Sequence, residues 1–308
     1  MCILSISITA QFGRDSLNFS TQSFSDRQLV NSFDKQLNTY SLNTLARYFL
    51  NTDNLFFGIR QNFNSTVVKS SIINVKDEQF LWAIGQYELS NKLKFGILFN
   101  NNFYTDDRQT AINKASLLTT SLFAKFLPHK KIEITPYGGF SQNNQIGAKD
   151  NGYIYGGEAN IDKFSLGDFE LTSLMKFQNE DISPRKNTLR LLNFDINSSF
   201  EENFNNTISA YYSEQKKDFY FIADPLTAAE FNITNNIQSR TESNYYLQDR
   251  IRFVQANSPL SIDMYGRVGW RDISRNTRFI SLSNIANTNY DTRIKEFRLD
   301  FSSAADYI

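Results

Sequence analysis

Cysteine and histidine each occur once in the 308 residues, as Cys2 and His129. A single cysteine excludes an internal disulfide, and the two counts together exclude most metal centres and most catalytic triads. Proline (5 residues) and glycine (13 residues) are scarce. Gly138-Gly139 and Gly156-Gly157 open no helix, so they are expected to ease sheet curvature or close packing rather than to cradle phosphate. No apolar run approaches the 18 or so residues that a membrane-crossing helix needs, and the mean hydropathy is -0.42. Lys+Arg and Asp+Glu balance at 32 each, so no net charge draws the chain to nucleic acid.

Aromatic residues are plentiful. They make up 15% of the chain, with 28 Phe and 15 Tyr, too many for a disordered chain of this polarity. They recur at every second position. In 93–100, Leu93, Phe95, Ile97 and Phe99 oppose Lys94, Gly96, Leu98 and Asn100. In 169–178, Phe169, Leu171, Met175 and Phe177 oppose Glu170, Thr172, Lys176 and Gln178. In 260–271, Leu260, Ile262, Met264, Val268 and Trp270 oppose Asp263, Tyr265, Arg267 and Arg271. Period two over such lengths predicts strands with one apolar face. Further strands are expected near 15–24, 40–50, 55–64, 79–89, 116–127, 131–141, 152–162, 187–198, 204–214, 241–254 and 292–307, about fourteen in all and each near the ~9–11 residues that a tilted strand needs to cross a bilayer. Short turns are expected at 51–53, 90–91, 128–130, 163–166, 199–203 and 255–259. Long polar loops are expected at 25–39, 65–78, 101–115, 142–151, 179–186, 215–240 and 272–291.

That one-sided alternation predicts an all-β, antiparallel, up-and-down transmembrane β-barrel of about fourteen strands, or a fragment of a larger one. Apolar side chains should then face lipid: Leu93, Phe95, Ile97, Phe99, Phe169, Leu171, Met175, Phe177, Ile262, Met264, Val268, Phe297, Leu299 and Phe301. The opposite face should carry a charged lumenal cluster of Arg250, Arg252, Asp263, Arg267, Arg271, Glu296, Arg298 and Asp300, either lining a solute path or pairing internally to stiffen the wall. Trp82, Trp270, Tyr245 and Tyr246 sit near expected strand ends, where an interfacial girdle favours such rings. Residues 1–10 read as the back half of a secretory signal with cleavage after Ala10, leaving 11–308 as a single barrel domain.

The pattern resembles Gram-negative outer-membrane β-barrels as a broad class. Asn244-Tyr245-Tyr246-Leu247-Gln248-Asp249-Arg250 is similar to a strand segment of TonB-dependent receptor barrels. The resemblance implies a location in the bacterial outer membrane, contact with its lipid, and a passive pore or transporter role for small solutes. Two other readings fit the same pattern: a structural or adhesive barrel acting through its loops, and a soluble all-β surface or periplasmic binding protein. No enzyme, cofactor or metal is expected, and no nucleic-acid partner; the sequence leaves the oligomeric state open. His129, in Pro128-His129-Lys130-Lys131, is read as a solvated turn residue. Asp150-Asn151-Gly152 lacks the spacing of a calcium loop and is read as a turn.

Overall fold

The computed structural model describes residues 17–21, 24, 26–107, 114–145, 148–200, 203–220, 231–232, 237–254, 260–281 and 287–307. The expected signal segment lies outside the described residues. The strands are β1 (Gln28–Gln36), β2 (Thr39–Asn51), β3 (Leu55–Lys69), β4 (Ile73–Ser90), β5 (Leu93–Asp106), β6 (Lys114–His129), β7 (Ile132–Gln145), β8 (Ala148–Leu166), β9 (Phe169–Ile182), β10 (Arg185–Phe200), β11 (Phe204–Tyr220), the two-residue β12 (Phe231–Asn232), β13 (Ile237–Val254), β14 (Leu260–Ser281) and β15 (Asn287–Tyr307). They form one sheet. Each long strand pairs antiparallel with the next, and β12 pairs only the end of β14. Among the described residues no pairing joins β1 to β15, so the sheet is open there.

The strands are longer than expected. β14 has 22 residues and β8 has 19, against the roughly 9–11 that cross a bilayer. The extra length comes from segments expected to be loops. Residues 65–78 are strand apart from 70–72, and 179–186 are strand apart from 183–184, where the Ser183–Pro184 peptide is cis. Residues 142–151 are strand wherever they are described, and most of 272–291 lies in β14 and β15. Composition misleads here for a physical reason: a hairpin that extends past an apolar band meets water on both faces and loses its period-two signal. Asp150-Asn151-Gly152 accordingly belongs to β8, not to a turn.

The tight turns expected at the other end are present at 52–54 and 91–92, with those near 130 and 165 falling at 130–131 and 167–168. Three register shifts, at Glu88/Ser90, Phe126/His129 and Ile161/Phe164, sit beside these turns. Bulges near strand ends increase local twist. His129 ends β6, exposed, with its ring edge-on to Phe164 at 5.3 Å.

The two faces of the sheet differ in curvature, and the glycines report it. A Cβ on Gly139 would lie 2.0 Å from the Thr120 carbonyl oxygen, and one on Gly156 2.0 Å from that of Phe177. Their neighbours Gly138 and Gly157, on the opposite face, have nothing within 3.9 Å. The first pair lies on the concave face, where adjacent strands crowd inward, and the second on the convex face.

Candidate functional site

The concave face is the candidate site. It is lined near its middle by an apolar ridge of Trp82, Ile84, Leu98, Phe123, Tyr137 and Ile154, all buried. The described residues 17–21, 24, 26 and 27 lie across this ridge as a strap. The expected first strand at 15–24 is therefore corrected: 17–20 carry no strand, and β1 instead starts at Gln28, inside the expected 25–39 loop.

The strap is anchored along its length. At one end the Leu17 N–H donates to Gln178 Oε1 (3.4 Å), and Lys176 Nζ donates to the Leu17 carbonyl. Phe19 packs between Phe123 and Tyr137, with ring centroids 4.9 and 4.7 Å away. Phe24 stacks on Trp82 at 4.9 Å. At the far end Asp26 pairs with Arg47 (3.3 Å), and Arg27 Nε donates to the Phe49 carbonyl (3.0 Å). These anchors run from β9 to β2. Seven inter-strand steps along the sheet cover about 34 Å, close to the full reach of about 33–36 Å for ten extended residues. The strap is not fully extended, because Phe24 N–H turns back to the Thr21 carbonyl (3.2 Å).

Next to the strap is a buried ionic centre. Arg185, 1% exposed, pairs through Nε with Asp150 (2.5 Å), donates to the Asn143 carbonyl (3.3 Å) and lies over the Tyr220 ring (4.9 Å). Tyr220 donates to the second Asp150 oxygen (3.0 Å). Ser141 and Asn187 hold Glu180 at 2.5 and 2.8 Å. Tyr220 lies on β11, three strands from Asp150 on β8, so this network bridges those strands across the concave face, and Arg185, Glu180 and Asn187 line a cavity of about 150 Å³. Sequence reasoning missed both Arg185 and Asp150, since 35 residues of chain separate them.

The charged residues expected to cluster all fall on one face of β13, β14 and β15, as the register shows: Arg252 opposes Asp263, Arg267 opposes Asp300, and Arg271 opposes Glu296. Most are paired. Arg250 forks onto Asp263 at 3.1 and 2.5 Å. Arg271 binds Glu242 at 2.8 Å and reaches Glu296 at 3.8 Å. Arg298 pairs with Asp300 at 2.8 Å, and Arg267 lies 3.9 Å over the Tyr246 ring. Glu242 was not among the expected residues.

On the convex face Phe95, Ile97, Phe169, Met175, Phe177, Met264, Phe297, Leu299 and Phe301 are exposed. Leu93, Phe99, Leu171, Ile262 and Val268 on the same face are half-buried. Trp270 is also exposed there, stacked on Tyr245 (5.4 Å) and tilted against Phe297 (5.3 Å). Trp82 is corrected: it is buried on the concave ridge, not in a girdle. Tyr246 likewise faces inward, stacked on Tyr211 at 4.9 Å. Beyond Trp270 along β14, outside the apolar band, the Arg293 fork at 2.9 and 3.1 Å holds the Asp272 carboxyl below the usual carboxylate range.

No family model matches the chain, and no curated protein is similar to it in sequence. Among solved structures it is similar to a bacterial polysaccharide outer membrane secretin, at 12% identity over 88% of this chain and 91% of that one, with a TM-score of 0.32. It is also similar to Pseudomonas aeruginosa OccK2 (OpdF), at 9% identity over 90% and 94% of the two chains, with a TM-score of 0.13. Likenesses at that level carry no functional argument. The strand order and register are those of the up-and-down antiparallel sheets that form outer-membrane β-barrels.

Proposed function

We propose that the chain is a bacterial outer-membrane β-barrel protein that gives small solutes a path along its concave face, narrowed by the strap that Leu17, Phe19 and Phe24 anchor. The single observation that carries this reading is the distribution of apolar side chains. Leu122, Leu299 and Phe301, at 66%, 70% and 75% exposed, belong to a convex band of large apolar residues running across the sheet. A water-soluble protein seldom shows a contiguous apolar patch beyond a few hundred Å²; a band of this kind suits acyl chains. The concave face, where a soluble sheet would place its dry core, carries Arg, Lys, Glu and Asn beside the strap.

In a bilayer, unpaired backbone groups at β1 and β15 would each cost several kcal/mol. The fourteen long strands alternate in direction, so β1 and β15 run antiparallel and can pair with each other to close the sheet. Reconstitution into planar bilayers tests the pore: stepwise conductance and solute flux are expected, and their absence from folded, inserted protein removes the pore role. One observation favours a structural barrel instead. The strap fills the middle of the concavity, and most of the expected charged residues are already paired. A variant with Phe19→Ala and Phe24→Ala decides between the two, because a strapped pore gains conductance on losing its strap contacts and a structural barrel stays silent.

A further inference from the structure

A second cavity, of about 480 Å³, lies on the concave face between β3 and β7. Arg60, Asn62 and Asn64 on β3, Glu78 on β4, and Asn102 and Tyr104 on β5 line it. One cation and one carboxylate line it, Arg60 and Glu78. Arg60 stands directly opposite Arg47 in the β2–β3 register, and like charges directly opposed destabilise a sheet. Arg47 is answered by Asp26 of the strap at 3.3 Å. Glu78 is answered by Lys76 at 2.7 Å, and Lys76 also lies 5.6 Å from the Tyr104 ring. Among the described residues, no acidic side chain pairs with Arg60.

The Arg60 Nε is buried and makes no hydrogen bond among the described residues, and neither does the buried Asn102 Oδ1 in the same cavity. A withdrawn guanidinium N–H without an acceptor is costly, and a guanidinium fork matches a pair of oxygens in geometry and charge. The amides of Asn62, Asn64 and Asn102 each offer a donor and an acceptor, the set that reads hydroxyl groups.

We infer that this cavity binds a small polyhydroxylated oxyanion, with its anionic oxygens on Arg60 and its hydroxyls on the surrounding Asn amides. The site deepens the solute-path reading and rests on it. It assigns that path a preference for anions over neutral sugars of the same size, although the whole chain has no net charge. Most of the charged residues of β13–β15 are already paired with one another.

Calorimetric titration of the full chain, folded in detergent micelles, tests the inference with gluconate and glucose as probes. Gluconate is expected to bind saturably to the parent protein, about tenfold or more weakly to Arg60→Gln, and with intermediate affinity to Arg60→Lys, which keeps the charge but loses the fork. Glucose should give no saturable heat. Circular dichroism and heat-dependent mobility on gels confirm that each variant is folded. Equal gluconate affinity in parent and Arg60→Gln overturns the inference. So does glucose binding as tight as gluconate, or no gluconate binding to the folded parent. Binding in micelles is independent of conductance in bilayers, so gluconate binding without conductance removes the pore alone, and conductance without gluconate binding removes the site alone.

Discussion

The rings of Phe24 and Trp82 stack with centroids 4.9 Å apart and planes 9° from parallel. Phe24 belongs to the strap and Trp82 to β4, so this contact joins a segment without strand structure to the wall it crosses. Gly58 makes room for it: a Cβ there would lie 2.6 Å from the Phe24 ring. Truncating a fully buried phenylalanine costs about 3–5 kcal/mol. That loss falls on strap docking, because the sheet's own hydrogen bonds do not involve Phe24. Phe24→Ala in a Trp270→Phe background is therefore expected to shift Trp82 emission to the red while strand content by circular dichroism stays unchanged.

Arg185 and Asp150 form a buried pair, 1% and 4% exposed at their side chains. Removing one partner leaves a charge without its counter-ion, at a cost of about 3–5 kcal/mol. Asp150→Ala is expected to lower the midpoint of urea unfolding in lipid vesicles. Asp150→Ala with Arg185→Met should lose less than the sum of the two single changes, since the double variant buries no orphaned charge.

Curvature makes neighbouring glycines unequal. Gly139→Ala places a methyl group 2.0 Å from the Thr120 carbonyl oxygen, while Gly138→Ala meets nothing within 4 Å. Refolding yield, followed by heat-dependent mobility on gels, should fall sharply for Gly139→Ala and hold for Gly138→Ala.

Closure of the sheet is tested by cross-linking β1 to β15. With Cys2 replaced, Ser32→Cys on the concave face of β1 is combined with one cysteine at a time at Glu296, Arg298, Asp300, Ser302 or Ala304. One or two of these pairs should form an intramolecular disulfide in membranes, marking the register of the seam. Cross-links only between chains would mean that the edges pair with a second copy.

The convex face was legible in the sequence because lipid or solvent on one side and a packed wall on the other enforce period two; Phe95 with Ile97 and Val268 with Trp270 follow it without interruption. The strap was not legible. Leu17, Asn18 and Phe19 alternate as a strand would, and only the ridge facing them shows that both apolar side chains turn the same way. The apolar residues of the concave face were hidden for a related reason: Leu98 alternates with Phe95 and Ile97 on the opposite face, and nothing local says that a distant segment covers it. The Arg185–Asp150 pair and the unanswered Arg60 depend on which strands become neighbours across the concavity, and a linear pattern does not carry that information.

The two tryptophans in the chain lie on opposite faces, which gives the central claim a direct test. Trp270 is 42% exposed on the convex band, and Trp82 is 7% exposed under the strap. Each is isolated by Trp82→Phe or Trp270→Phe, and each protein is reconstituted in vesicles of lipids brominated on their acyl chains. Strong quenching of Trp270 by brominated lipid, weak quenching of it by aqueous acrylamide, and little lipid quenching of Trp82 are expected if the convex face meets hydrocarbon. A Trp270 that brominated lipid leaves bright and acrylamide quenches freely would contradict the account.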